Sequence, residues 1–466
     1  MTWLKASNGR TRSILAFSFL SVYILSFLFE GQILYSLLER HGVSSSAYIG
    51  LAMGAHFLGL FSCGFFCKTG QRAKQVMFIG MGVPLLTLIP FFFAPSLLWK
   101  LGVVLGGYAS GAAIGAWGHF LKAFAPQEER LKTCADVLIT SNVLMLLVNV
   151  LTCRISPFWG LTVTLLCLGL GIFCTWTLSL ETTAKGGVAT GTAKQDLRGV
   201  LLLLCVFIAI LTINSGLMYQ VVNPAFDHLG PLTDWYWAIP YVVALFILRN
   251  LPTQAHSRML YVGMGMMVGS FVGFMLLGRN PLDYIMIDTL MLAACGIFDL
   301  FWWSILGEML DYTDNPSQVF GLGLSANVLG VFGGGLIGTL ALWTGRITSE
   351  ITVLALIVVC ITLALLPLLN RRLVVLLKSH AYLAVYDTMD ANVKRTMNYG
   401  QKALDPLTER EQEVLEEILA GKSNREVAAT LHITESTVKT HARNIYSKFA
   451  VHSRAELIST LLKGED

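Results

Sequence analysis

Charged side chains are scarce in this chain. Asp, Glu, Lys and Arg make up 13% of its 466 residues, about half of the roughly 25% found in soluble domains. That shortage excludes an ordinary water-soluble protein as a description of the whole chain. No disulfide framework is expected either. Most of the nine cysteines, among them Cys134, Cys167, Cys174, Cys205, Cys295 and Cys360, lie in apolar stretches, where a thiol behaves as a small hydrophobe. Cys63 and Cys67 are one helical turn apart, but no second thiol or histidine pair completes a zinc set, so no metal site is expected. There is no GxSxG, HExxH, Walker loop or phosphoacceptor receiver domain, so the chain is expected to be no enzyme and to carry no cofactor. Gly333, Gly334 and Gly335 form no nucleotide loop, because no Lys-Ser/Thr follows them. No cleavable signal peptide is expected, since Lys5, Arg10 and Arg12 lead straight into an apolar run too long for one.

Hydrophobic residues are abundant instead, at 55% of the chain, with a mean hydropathy of +0.64. A helix needs about 20 apolar residues to cross the hydrocarbon. Twelve such runs occur, near 14–37, 47–67, 76–95, 98–121, 134–153, 158–180, 199–222, 234–250, 259–278, 284–308, 320–344 and 351–369. The run at 234–250 is short and the one at 284–308 is polar. Lys and Arg set the orientation. With the N-terminus inside, the inner segments hold fourteen: Lys5, Arg10, Arg12, Lys68, Arg72, Lys74, Lys122, Arg130, Lys132, Lys185, Lys194, Arg198, Arg249 and Arg258. The outer segments hold five: Arg40, Lys100, Arg154, Arg279 and Arg346. Both termini are therefore expected on the cytoplasmic side of the inner membrane.

The longest internal loop, 181–198, follows the sixth run and divides the membrane part into six plus six. That layout, with GFFCKTGQRAK after the second run, resembles the major facilitator superfamily. The family's signature there is a glycine-rich turn with one acidic and several basic residues. Gly64, Gly70, Arg72 and Lys74 match it, but the aspartate is missing and the spacing is one residue short. In the family these charges lock and release the two halves during transport, so their erosion argues against active cycling.

The resemblance implies that spans one, four, seven and ten line a central cavity. Ionisable groups at bilayer depth are costly unless paired or hydrated, so each is a site candidate. The expected small-molecule set is Glu30, Tyr108, Trp117, His119, Asn214, Tyr219, Asp299, Trp302 and Trp303, with Gln32 beside Glu30. Aromatic walls with a few fixed polar groups suit a small aromatic or amphipathic effector. Asp288 is expected to face water near the outer end of its span. Asn142, Asn149 and Asn327 are expected to form interhelical hydrogen bonds. The acidic patch Glu308, Asp311 and Asp314 reads as a solvated helix end, or as a holdfast for a basic partner helix.

After Leu369 the hydropathy falls. Residues 370–404 read as a juxtamembrane linker between a membrane domain at 1–369 and a third segment at 405–466. That segment opens helices with Thr408/Glu411, Ser423/Glu426 and Ser453/Glu456 capping boxes and a Thr434 cap. Four helices are predicted, the third at about 435–449. Val438, Ala442, Ile445 and Phe449 form its buried side. Thr437, Lys439, Thr440, Arg443 and Lys448 are left outward, as in the reading helix of a helix-turn-helix.

The segment resembles the LuxR/NarL-type helix-turn-helix family at, among others, Leu407, Thr408, Arg410, Glu411, Gly421, Asn424, Glu426, Thr434, Thr437, Val438, Lys439, His441, Lys448 and Arg454. The resemblance implies that Lys439, Thr440 and Arg443 face the major groove. It also implies that Thr437, Lys422, Asn424 and Lys448 contact the DNA backbone, and that Ala455, Leu457, Ile458 and Leu461 join two copies in a homodimer. Residues 405–466 carry eight Lys/Arg against eleven Asp/Glu, and non-specific DNA affinity follows phosphate neutralisation, so one domain alone is expected to bind weakly.

The whole chain thus reads as an all-α, twelve-helix membrane bundle followed by a four-helix LuxR-type domain. The expected function is a one-component transcription regulator that senses a small, possibly aromatic, ligand in the bilayer and binds double-stranded promoter DNA. A facilitator-type transporter with an attached regulatory domain is the alternative.

Overall fold

The computed structural model describes residues 2–29, 31–178, 191–230, 232–251, 253–343, 348–376, 407–419, 422–449, 451, 453, 454, 456 and 457. Among these, no residue is in a strand. The first six membrane helices are α1 (Thr2–Tyr23), α2 (Ser46–Phe66), α3 (Gly70–Thr87), α4 (Leu97–Ala116), α5 (Arg130–Arg154) and α6 (Pro157–Thr177). The second six are α7 (Gly191–Leu217), α8 (Ala238–Asn250), α9 (Thr253–Leu276), α10 (Pro281–Met309), α11 (Pro316–Trp343) and α12 (Thr348–Leu376). Eleven of the twelve positions in this order are long and apolar enough to cross a bilayer, the polar α10 included. The exception is α8, whose 13 residues span about 20 Å at 1.5 Å each, short of the roughly 30 Å of hydrocarbon. Side chains such as Phe65, Leu86, Leu97, Leu147, Trp176 and Leu202 stand exposed around the bundle, as a lipid-facing surface requires. The last helix continues to Leu376, past the point where apolar composition ends.

The two sixes pack with matching logic. Within each, the first helix lies against the fifth (α1 on α5, α7 on α11) and the second against the fourth (α2 on α4, α8 on α10). The halves meet along two seams, α2 with α11 and α5 with α8. Both first helices also break in the same way. A π-turn at Ile24–Leu28 follows α1 and another at Met218–Val222 follows α7. Such turns release the backbone from regular pairing and mark functional positions in helices.

Glycine sets how closely the helices approach. A Cβ on Gly334 would lie 2.1 Å from the Ile213 carbonyl oxygen of α7, and one on Gly321 would lie 2.5 Å from that of Leu60 across the α2/α11 seam. Neither position admits a side chain without separating backbones. Gly321→Leu is expected to cost about 1–3 kcal/mol through overpacking and to lower the melting temperature of the purified chain. An unchanged melting temperature would show that the seam is looser than this.

The C-terminal unit has its own core of Leu407, Val414, Leu415, Ile418, Val427, Val438, Ile445 and Leu457. Its helices α13 (Glu409–Leu419), α14 (Asn424–Thr430) and α15 (Glu435–Lys448) start where the capping pattern places them. Ser423 and Glu426 close a reciprocal capping box, and the Thr434 side chain accepts the Thr437 amide. At the chain's next cap the Glu456 amide donates to Ser453 at 3.2 Å. Ala455, Ile458 and Leu461 of the predicted fourth helix lie outside the described residues, as do residues 377–406, which hold most of the predicted linker at 370–404. Leu457 corrects an expectation: it is fully buried in its own domain's core and so does not present its side chain to a second copy.

Candidate functional site

Two sites emerge, one on α15 and one between the membrane halves. On α15, Val438, Ala442 and Ile445 are buried with Phe449 beyond the helix end, which turns Lys439, Thr440 and Arg443 outward. Lys439 pairs with Glu435 one turn back, at 3.0 Å with both side chains exposed, an ion pair worth little in water. Thr440 donates to the Ser436 carbonyl. These three form one exposed basic and hydroxyl face. Thr437 is engaged in the cap with Thr434. Lys422 is paired with Glu417 at 2.5 Å and half-buried, beside the half-buried Asn424.

Lys448 departs from the expected outward set. Its ammonium donates to Glu411 at 2.6 Å, and Glu411 is only 3% exposed. Glu411 also accepts the Thr408 amide at 2.8 Å, so this carboxylate ties α13 to the end of α15. Burial alone would raise its pKa, but Lys448 and the Thr408 hydrogen bonds outweigh that and hold it below the ordinary value of 4.5. A depressed carboxyl stabilises the fold above its unfolded pKa and loses that contribution as pH falls through the folded one. Hydrogen exchange of the α13 amides in the full chain, corrected for intrinsic rates, is expected to speed up below about pH 4.5. Glu411→Gln is expected to remove that acid dependence.

In the membrane domain, residues of both halves line a cavity of about 1090 Å³. Its inner wall holds Phe17, Leu138, Asp299 and Trp303, and its other end holds Gln32, Glu39, Asp227 and Asp234. The segments at the two π-turns contribute Ile24, Leu25, Tyr219 and Gln220. Asp299 is oriented from two sides: the Tyr241 hydroxyl donates to one oxygen at 2.7 Å and the Trp302 indole N–H to the other at 3.2 Å.

The expected ligand residues divide accordingly. Tyr219, Asp299 and Trp303 line the cavity, and Trp302 stands behind Asp299, fully buried. Four others do not line it. Trp117 is buried, donates to Ser13 at 3.0 Å and packs on Phe17, Trp303 and Phe320. Tyr108 is 41% exposed and shares a hydrogen bond with Ser62, away from the cavity. His119 is bonded to Ser317 at 2.9 Å. Asn214 is buried, and its amide lacks a hydrogen-bond partner among the described residues. Glu30 lies outside the described residues. Asp288, expected in water, is 5% exposed. The interhelical role expected of three asparagines is corrected as well. Asn142 donates within its own helix and faces the cavity, the Asn149 amide is buried without a partner among the described residues, and Asn327 joins α7 through its backbone carbonyl.

Sequence reasoning missed the feature that closes the opposite end. Arg130, 4% exposed, grips Asp311 with two nitrogens at 2.6 and 2.7 Å and donates to the Gly307 carbonyl at 3.0 Å. Asp136 accepts from Arg10 at 2.8 Å and from Arg249 of the other half. Lys122 donates to the Thr313 carbonyl at 2.8 Å, and Asn315 donates to that of Gly64 at 2.7 Å. His119 and Cys67, each bonded to Ser317, add further cross-half ties at this end, where the Lys/Arg-rich segments lie. At the cavity's mouth the ion pair between halves is Arg154 with Asp234 at 3.8 Å, half-exposed. Within the acidic patch, Asp311 is therefore not simply solvated but serves as Arg130's partner, while Asp314 is exposed. The signal was present in the sequence, since an acidic loop among basic ones invites a pairing partner.

Residues 405–461 match the family described as bacterial regulatory proteins, luxR family. The nitrate/nitrite response regulator protein homolog of Haemophilus influenzae is 55% identical over 63 residues, which are 14% of this chain and 30% of that protein. The transcriptional regulatory protein LnrK of Bacillus subtilis is 56% identical over 50 residues, 11% of this chain and 23% of that protein. The chain thus spans less than a third of the length of these two relatives. Among solved structures, a human organic anion transporter (TETRAN) superposes with a TM-score of 0.60 at 13% identity, covering 78% of this chain and 99% of that one. A bacterial homologue of the iron transporter ferroportin, in an outward-facing state, gives 0.57 at 14% identity, covering 80% and 99%. At such identities the likeness is one of fold. Residues 405–461 are thus similar to luxR-family regulatory domains, and the helical bundle before them shares its fold with two proteins described as transporters.

Proposed function

We propose that this protein is a membrane-bound, one-component transcription regulator. A small molecule entering the cavity biases the bundle between two arrangements, and the C-terminal domain binds promoter DNA with α15 in the major groove. Both termini are cytoplasmic, the linker begins near residue 370, and two copies pair when active. The observation that carries the reading is the pairing, in one chain, of an exposed Lys439–Thr440–Arg443 face with a bundle latched at one end and hollow at the other.

The energetics suit a switch. A ligand shifts a two-state equilibrium only through its differential affinity for the states. The latch gives the states different contacts, since its buried guanidinium must lose Asp311 and Gly307 when that end opens. Net acidity of the DNA-binding segment favours a paired or clustered arrangement, because one copy neutralises few phosphates.

A promoter reporter with the full chain in its native membrane tests the reading. A set of small molecules is expected to contain some that change output, and Arg443→Ala is expected to abolish the change. Output that responds to no compound, or a response that survives Arg443→Ala, would contradict it.

Transport is the second reading, favoured by the fold it shares with two proteins described as transporters. Saturable uptake into proteoliposomes, lost in Glu30→Gln, would establish it.

A further inference from the structure

We propose that the cavity takes a small organic cation, an aromatic amine whose ammonium group sits against Asp299. This deepens the sensing reading and rests on it.

The first ground is the charge of the lining. Among the described residues around the cavity there is no Lys or Arg, whereas Glu39, Asp227, Asp234 and Asp299 contribute four carboxyl groups. Arg154 stands outside the lining and pairs with Asp234 at the rim. His56 is the basic group that does line it; its ring is bonded to Ser110 and set edge-on to Phe29. An anionic ligand would meet carboxyl groups and no Lys or Arg within the described lining, and Asp299 at the closed end has no basic side chain bonded to it among the described residues. A cation meets the same groups as counter-charges.

The second ground is the state of Asp299. Both groups that touch its oxygens are donors, one to each oxygen, at 2.7 and 3.2 Å. The Trp302 indole is a donor that cannot accept, so that oxygen serves as an acceptor. Two donors fix the carboxylate's direction while leaving it short of the charge partner that a buried anion needs. An ammonium supplies that charge together with three hydrogens.

The third ground is the wall around it. Trp303 follows Asp299 by one helical turn, about 40° away around the axis, and both face the cavity. Tyr219, Trp237, Tyr241 and Tyr284 complete an aromatic lining. Aromatic faces attract organic cations and flat rings alike. A neutral ring would use only the walls, whereas a protonated aromatic amine uses the walls and the carboxylate together.

Phenethylamine, 2-phenylethanol and 3-phenylpropionate differ mainly in charge. Their binding to the purified full chain in nanodiscs is read by titration calorimetry, with the melting curve as a folding control. The amine is expected to bind at least tenfold more tightly than the alcohol, and the carboxylate to be the weakest of the three. Asp299→Asn is expected to weaken the amine about tenfold or more and to leave the alcohol unchanged. Should Asp299→Asn not fold, the wild-type ranking still decides. The proposal is overturned if phenylpropionate matches the amine, if Asp299→Asn preserves the amine's advantage, or if none of the three binds. The sensing reading falls separately, with a reporter that answers no compound.

Discussion

Replacing Arg130 by alanine is expected to unlatch the closed end of the bundle and expose Cys67. Arg130 is buried and satisfied by Asp311, Gly307 and Ala125. Removing one member of a buried pair costs about 3–5 kcal/mol because the other is left without its partner. Asp311 is 34% exposed, so water recovers part of that loss, and about 2 kcal/mol is the sounder figure. At about 1.4 kcal/mol per factor of ten, the closed arrangement loses some 30-fold in relative population. Cys67 reports the change. It is fully buried beside Ser317 at the α2/α11 seam. The Ser317 hydroxyl donates to its sulfur at 3.2 Å, while the Cys63 thiol one turn back donates to the Ala112 carbonyl. Once water reaches it, the thiolate reacts readily. Peptide mapping after treatment with a charged maleimide is expected to show Cys67 labelled at least tenfold faster in Arg130→Ala than in the wild type, with Asp311→Asn following in the same direction. Equal labelling would mean that the ion pair does not hold the seam.

Arg443→Ala is expected to cut specific promoter affinity about tenfold to a hundredfold, the worth of one good bidentate base contact. The side chain is exposed on the face opposite Val438, Ala442 and Ile445, so its loss leaves the fold intact and the melting curve unchanged. Lys448→Ala is the contrasting case. Its ammonium neutralises Glu411, which is almost wholly covered, so the domain melts lower and DNA binding falls through stability. If the two variants behaved alike in melting and in binding, the division of α15 into a reading face and a structural end would be wrong.

The C-terminal domain was the most legible part of the chain. Its order comes from contacts only a few residues apart: Ser423 with Glu426, Thr434 with Thr437, and a hydrophobic face repeating at helical spacing. The membrane helices were legible for a similar reason, since length and hydropathy are local. The cavity was legible only as a choice of helices. Tyr108 on α4 and Trp117 at its C-cap are nine residues apart, which at helical geometry puts them about 180° apart around the axis, so both were never able to face the same space. One is exposed and the other buried on Phe17. The latch escaped notice because its pairs, such as Arg130 with Asp311 and Asp136 with Arg249, join residues more than a hundred positions apart. Each charge had a sufficient local explanation as a topology signal or a helix end. Lys448 shows the same limit at small scale: spacing alone turned it outward, and Glu411 drew it in.

The most direct measurement follows Cys67 labelling and promoter occupancy together, in membranes containing the full chain, across one set of small molecules and in Arg130→Ala. If the membrane half governs the DNA-binding half, compounds that alter labelling alter occupancy in proportion, and Arg130→Ala shifts both without any compound. Compounds that open or close the bundle while promoter occupancy stays fixed would contradict that coupling.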